Sequence, residues 1–158
     1  MKIPVTPATR LLKNEKVDYK VHFYAYEEKG GTSASARLLN VPESSVVKTL
    51  VFKDDQKHPL LVLMTGDKKV STKTLARLTG AKHINPCEAK EAQKHSGYLV
   101  GGTSPFATRK KMPIYLEKCV LDLDILYING GKRGFLVSLS SADLVRILKP
   151  EIVEVGLT

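Results

Sequence analysis

The run Gly101-Gly102-Thr103-Ser104-Pro105-Phe106 carries no charge inside a basic chain and follows directly on the apolar Tyr98-Leu99-Val100. Paired glycines reach backbone conformations closed to other residues and let amide N–H groups approach a ligand, while Pro105 stiffens the exit. Such a loop can cradle an oxyanion or a phosphate, or it can simply form a tight turn. Two companions bear on that choice. Lys48 interrupts the apolar Val46-Val47-Lys48-Thr49-Leu50-Val51-Phe52, and Gly130-Gly131-Lys132-Arg133-Gly134 repeats the glycine pair with two cations beside it. An ammonium buried without a partner is costly. Lys48 therefore either snorkels from a strand edge or stands in a cleft to meet a carbonyl, a phosphate or an anionic transition state.

The chain has 158 residues, 25 Lys+Arg against 16 Asp+Glu and a formal net charge of +9, which favours a polyanionic partner. The positive charge gathers near the bare backbone: Arg109-Lys110-Lys111 follows the glycine loop, Lys132-Arg133 sits in the second glycine turn, and Lys68, Lys69 and Lys73 form a further patch. Hydrophobic residues at 42% and charged residues at 26% are those of an ordinary globule, so one domain spanning residues 1–158 around one core is expected. No apolar run approaches the ~20 residues of a membrane span, and Met1 to Pro7 has no signal-peptide core, which points to a cytoplasmic protein without membrane contact. Cys87 and Cys119 have no CxxC neighbour, and His22, His58, His83 and His95 lack ligand spacing, so no metal and no cofactor is expected.

The elements that must position these residues follow from capping and periodicity. Thr6-Pro7 opens a helix to about Lys16; Val17 to Tyr24 alternates as a strand and sends Tyr24 away from its most apolar side. Thr32 or Ser33 caps a short helix ending near Asn40. Val46–Lys53 and Leu60–Met64 read as a hairpin, which puts Lys48 at the start of an apolar strand. Ser71 caps a helix ending at Gly80, and Asn85-Pro86-Cys87-Glu88 opens another that stops before Gly97. Tyr98–Val100 reads as a strand entering the glycine loop. Pro113–Leu116 and Ile125–Ile128 read as strands, the second turning at Asn129-Gly130 into Gly134–Leu139. Ser140 caps the last helix, and Ile152–Val155 adds an edge strand. The expected class is α/β: one domain with a mixed, curved sheet approaching a barrel and flanking helices, not a doubly wound nucleotide fold.

Several of these segments together resemble the YbaK family of aminoacyl-tRNA deacylases, related to the editing insertion of bacterial prolyl-tRNA synthetases. They are Thr6-Pro7-Ala8 with Leu11-Leu12, Val47-Lys48-Thr49-Leu50, Gly97-Tyr98-Leu99-Val100-Gly101-Gly102 with Ser104-Pro105, and Ile128 with Gly130-Gly131-Lys132-Arg133-Gly134. Their order covers nearly the whole chain. The resemblance implies trans-editing: clearance of mischarged tRNA, best known as removal of cysteine from tRNA(Pro), with prolyl-tRNA synthetase as a possible partner. It carries the family's essential lysine onto Lys48, its glycine-loop substrate contact onto Gly101 and a cleft tyrosine onto Tyr24, and it implies a mixed sheet curled towards a barrel. Three positions depart. Leu136 stands where the cysteine-removing members have an aspartate, Gly30-Gly31-Thr32 replace a loop aromatic, and Ala107 replaces a glycine. One methylene or hydroxyl in a pocket discriminates by only ~1–3 kcal/mol, so changes of this kind can alter which amino acid leaves.

No Ser-His-Asp or Cys-His set is legible, and neither cysteine lies in the matched motifs, so a protein nucleophile is not expected. In the mechanism the resemblance implies, the thiol of the esterified cysteine attacks its own carbonyl. Amides of Gly101, Gly102 and Thr103 would hold the oxyanion and Lys48 would act electrostatically, while Tyr24, Thr49 and Ser104 would contact substrate. Arg109, Lys110, Lys111, Lys132 and Arg133 would hold the aminoacyl-tRNA backbone. Three alternatives stay open: a non-catalytic module binding the tRNA acceptor end or a synthetase, a deacylase for another amino acid such as alanine, and a hydrolase of small esters.

Overall fold

Local chemistry sets most helix boundaries in the computed structural model, which describes residues 2–158. Helix α1 (Pro7–Asn14) starts where the Thr6 hydroxyl accepts from the Thr9 amide while Thr9 reaches back to Thr6, a reciprocal cap with proline in the first turn. Helix α3 (Thr72–Thr79) is capped by Ser71 and closed by Gly80. Helix α4 (Ala89–Ser96) uses Glu88 and Glu91 as its capping box and Gly97 as its left-handed terminus. Helix α5 (Ser141–Leu148) is capped by Ser140. Helix α2 (Gly31–Leu39) begins without a side-chain cap, so the hydroxyls of Thr32 and Ser33 do not serve as expected, and it ends at a left-handed Asn40.

The strands are β1 (Lys20–Phe23), β2 (Val46–Asp54), β3 (Pro59–Thr65), β4 (Lys69–Val70), β5 (Ile84–Pro86), β6 (Ile114–Glu117), β7 (Ile125–Lys132), β8 (Phe135–Ser140), β9 (Glu151–Val153) and β10 (Gly156–Leu157). Eight make one mixed sheet in the order β1-β8-β7-β2-β3-β6-β9, with β5 pairing the far half of β2; β4 and β10 form a separate pair. The β2–β3 hairpin runs from Val47 opposite Thr65 to Lys53 opposite Pro59. Strand β2 lies parallel to β7 through Val46–Tyr127 and Val47–Ile128. The sheet is mixed, as expected, and open, with β1 and β9 at its edges.

One face carries the main core: Val47, Leu63, Leu126, Ile128, Phe135, Val137 and Leu139 pack with Ala8 and Leu12 of α1, Leu144 of α5, and Tyr98 and Phe106 of the connecting loop. On the other face Phe52, Leu60, Val62 and Met64 pack against Leu75 and Ala76 of α3. Beside that cluster, Ala36 of α2 meets Val46 and Leu136.

Three expected elements differ. Asn85-Pro86 does not open α4: both residues pair with β2 in β5, and the helix starts one turn later with Glu88 as its cap. Tyr98–Val100 is not a strand: Tyr98 is buried while Leu99 and Val100 are half exposed, and none of the three pairs with a strand of the sheet. The β7–β8 turn falls at Arg133-Gly134, beyond Asn129-Gly130, because β7 continues to Lys132 through a bulge between Asn129 and Lys132.

Candidate active site

Strand alternation places Lys48 on the face opposite Val47. The register makes a row across four strands on that face. Met64 of β3 stands opposite Lys48, Asn129 follows Ile128 as Lys48 follows Val47, and Leu136 of β8 stands opposite Asn129. The Lys48 ammonium is half buried. Its Nζ donates one long hydrogen bond, 3.4 Å, to the Gly66 carbonyl, and no carboxylate lies within ion-pair distance of it among the described residues. Burial lowers its pKa, the charges of Glu43 and Asp67 oppose that shift, and Lys69 adds to it. Glu43 is itself held by the Thr32 hydroxyl at 2.8 Å. Lys48 is thus a half-buried cation with donors to spare, its charged form favoured by two carboxylates that lie beyond ion-pair distance.

The glycine loop reaches the same row through Asn129. The Asn129 side-chain amide donates to Gly101 O at 3.1 Å, and its oxygen accepts from the amides of Gly131 and Lys132 at 2.6 and 3.0 Å. One side chain therefore ties both glycine turns to the strand beside Lys48. The turns also touch backbone to backbone, for a Cβ at Gly102 would lie 2.9 Å from the Arg133 nitrogen. Gly101 has φ +91, and a Cβ there would lie 2.5 Å from the Tyr26 hydroxyl. Arg133 fastens the rim: its Nε donates to Val100 O at 2.8 Å and its guanidinium stands 5.1 Å from the centre of the Tyr26 ring.

The structure sorts the predicted site residues. Lys48, Gly101, Lys132 and Arg133 converge on this rim, and Tyr24 packs against the cluster of Ala36, Val46 and Leu136 on the same face. Burial raises the pKa of the Tyr24 hydroxyl, with a further push from Tyr26. Thr49 is a correction: it faces away from Lys48 because neighbours on a strand alternate, and its buried hydroxyl has no hydrogen-bond partner among the described residues. Ser104 is another. It is fully buried, and its hydroxyl accepts from the Phe106 amide at 3.1 Å, so it shapes the loop and cannot reach a ribose. The Gly102 amide is spent closing the turn onto Leu99 O at 2.8 Å, whereas those of Gly101 and Thr103 carry no hydrogen bond among the described residues. Arg109 and Lys110 are held by backbone bonds against the end of α4, with Lys111 next to them in the chain.

Two residues here escaped the sequence reading. Asn129 looked like a turn residue before its glycine pair; a side chain able to accept from amides two and three residues on was the available signal. Tyr26 stands two residues beyond Tyr24, outside the alternating strand. Among the described residues no group of three or more His, Cys, Asp or Glu side chains could hold a metal ion, and no helix is long and apolar enough to cross a membrane.

The protein-family model of the aminoacyl-tRNA editing domain matches residues 27–147. The chain belongs to this family. It is similar to the Enterococcus faecalis "Putative Cys-tRNA(Pro)/Cys-tRNA(Cys) deacylase EbsC", with 26% identity over 95% of this chain and 92% of that one. It is also 26% identical, over 95% of its length, to a proline–tRNA ligase of Streptococcus thermophilus, of which it spans 23%. Among solved structures, a hypothetical protein superposes with TM-score 0.87 at 24% identity, covering 96% of this chain and all of that one. A "putative trans-editing enzyme for prolyl tRNA synthetase" superposes with TM-score 0.82 at 19% identity, covering 98% of this chain and 100% of that one. These likenesses show the same fold: an editing domain of YbaK type, with its mixed eight-stranded sheet and five helices.

Proposed function

We propose that this editing domain acts in trans as a deacylase that releases cysteine from tRNA(Pro), with the Lys48 rim as its site. The observation that carries the reading is the Asn129 bridge, which brings the glycine turns to the strand position beside a half-buried lysine with unspent donors. The similarity to a protein named for Cys-tRNA(Pro) supports the choice of cysteine. The matched segment of proline–tRNA ligases supports tRNA(Pro) as the carrier and that synthetase as a partner.

Chemistry at such a rim needs no protein nucleophile. A free thiol has pKa ≈ 8.5, so a small fraction is thiolate near neutral pH. Its sulfur forms a bond to the ester carbonyl, the carbonyl–ribose C–O bond breaks, and the ribose oxygen takes up the proton. Cysteine leaves as a small cyclic thioester that water opens. Amides of Gly101 and Thr103 stabilise the oxyanion, each donor being worth ~2.7–4 kcal/mol, and Lys48 steadies the carbonyl or the terminal phosphate. Tyr24 lines the amino-acid side, and Lys132 and Arg133 face the nucleotide.

A second reading has a specific observation behind it. Leu136, Val46 and Ala36 form a buried apolar cluster beside the Lys48 row with no polar side chain among them, which suits a small aliphatic side chain such as that of alanine. The experiment is release of labelled amino acid from cysteinyl-, alanyl-, seryl- and prolyl-tRNA. Turnover of cysteinyl-tRNA(Pro) at least tenfold above the alanyl ester is the expected result. An equal rate on alanyl-tRNA would remove the thiol mechanism, and protection of every ester would make the protein a binding module.

A further inference from the structure

Helix α4 and the segment that returns from the glycine loop form a cleft of about 420 Å³, lined by Lys90, Gln93, Lys94, Gly97 and Arg109. Lys110 and Lys111, both exposed, follow Arg109 in the chain. Backbone bonds fix this arrangement: the amides of Arg109 and Lys110 donate to the carbonyls of Ser96 and His95 at 3.0 and 2.9 Å.

The charge here is not balanced by the fold. None of Lys90, Lys94, Arg109, Lys110 or Lys111 has a carboxylate within 4 Å among the described residues. The one acidic side chain of the helix interior, Glu91, is taken by Lys53 at 2.7 Å. Lys90 and Lys94 are four apart on one helical face, where like charges repel, and Lys90 stands at the positive end of the helix dipole. The neighbouring His95 has its pKa lowered by burial first and then by Lys110 and Lys94.

The cleft is also within reach of the rim. Gly97 borders it and Gly101 borders the rim, and four residues span at most about 14 Å. Lys132 and Arg133 stand at the near end beside Gly102, so cations flank both ends of the glycine loop.

We infer that the α4 cleft, built by Lys90, Lys94 and Arg109, holds backbone phosphates of the tRNA acceptor arm a few nucleotides from the aminoacyl end. This rests on the proposed deacylase reading and adds to it the surface that makes tRNA the substrate in place of a free ester. Crowded cations that repel one another in the free protein are relieved when phosphates enter, with release of condensed counterions.

The test is binding of an uncharged tRNA(Pro) transcript, followed by fluorescence anisotropy across a salt series. Two variants of equal charge are compared: Lys90→Gln/Lys94→Gln/Arg109→Gln, and Lys13→Gln/Lys16→Gln/Lys149→Gln at the far ends of α1 and α5. The first should weaken binding at least tenfold and lower the slope of log K against log salt by about 2, three contacts at ~0.7 each. Its KM for charged tRNA should rise with kcat retained, and hydrolysis of a cysteinyl ester of adenosine should not change. The second should bind as the wild type does. Lys110→Gln/Lys111→Gln, at exposed positions, repeats the test if the first variant folds poorly. Unchanged tRNA affinity in the cleft variants, or equal loss in the α1/α5 variant, overturns the inference and leaves the cleft to an acidic protein surface. Uncharged tRNA separates the two claims: a wild type that cleaves no ester ends the deacylase reading, while the binding comparison still decides the cleft.

Discussion

Gly101 is where backbone conformation and the site meet. Its φ of +91 lies outside the range that L side chains favour, and its α-carbon rests against the Tyr26 phenol. Gly101→Ala therefore has two costs, a strained backbone of ~1–2 kcal/mol and a collision with a ring that Arg133 holds in place. Deacylation by Gly101→Ala should fall at least tenfold. Adding Tyr26→Ala removes the collision and leaves the strain, so a double-mutant cycle should recover only part of the loss. Full recovery would assign the whole effect to packing. Leu136 works differently: 4% exposed and packed with Val46 and Ala36, it is a buried apolar residue beside the Lys48 row and offers no proton or charge.

At the scale of elements, the bulge in β7 decides how the glycine turns are held. Without the extra residues between Asn129 and Lys132, the hairpin would run straight to its turn, and no side chain would be in place to bond both loops. Asn129→Asp keeps an acceptor for the Gly131 and Lys132 amides but aims a carboxylate at Gly101 O. Its kcat should fall roughly tenfold, the size of one net hydrogen bond, with the melting temperature changed little. An unaltered kcat would show that the loop keeps its place by packing alone. The elements that sequence announces well are those with local chemistry: Thr6, Ser71 and Ser140 mark three helix starts, and Val46 to Lys53 reads as a strand from its branched residues. Lys48 and Gly101 stood out for the same local reason. What stayed hidden depends on distant partners. Tyr98–Val100 has strand-like residues but nothing to pair with, and the Asn129 bridge joins positions 28 residues apart that only the folded register brings together. Thr49 and Ser104 looked polar and available until alternation and burial removed them.

Across the whole molecule, the Tyr98 hydroxyl joins the glycine loop to the main core, donating to Phe106 O at 2.6 Å. Burial pushes its pKa up to about 12, with the Ser104 hydroxyl acting against the shift. The folded state keeps this proton where the unfolded chain, at ~10, has lost it. Stability should thus decline as pH rises from about 10 towards 12. Tyr98→Phe should flatten that decline while costing ~1–3 kcal/mol at neutral pH, because Phe106 O loses its donor in a buried place. Urea titrations at pH 7 and pH 11 read both effects, and an unchanged alkaline slope would contradict them. The core, the bulge and the loop thus meet beside one half-buried lysine, and Lys48→Met probes it with least disturbance, since the stem is kept and only the charge goes. Under single-turnover conditions with saturating enzyme, release of labelled cysteine from cysteinyl-tRNA(Pro) by this variant should be ~10²–10³-fold slower than wild type, with tRNA affinity unchanged. Release at the wild-type rate would mean that the Lys48 ammonium has no part in the chemistry.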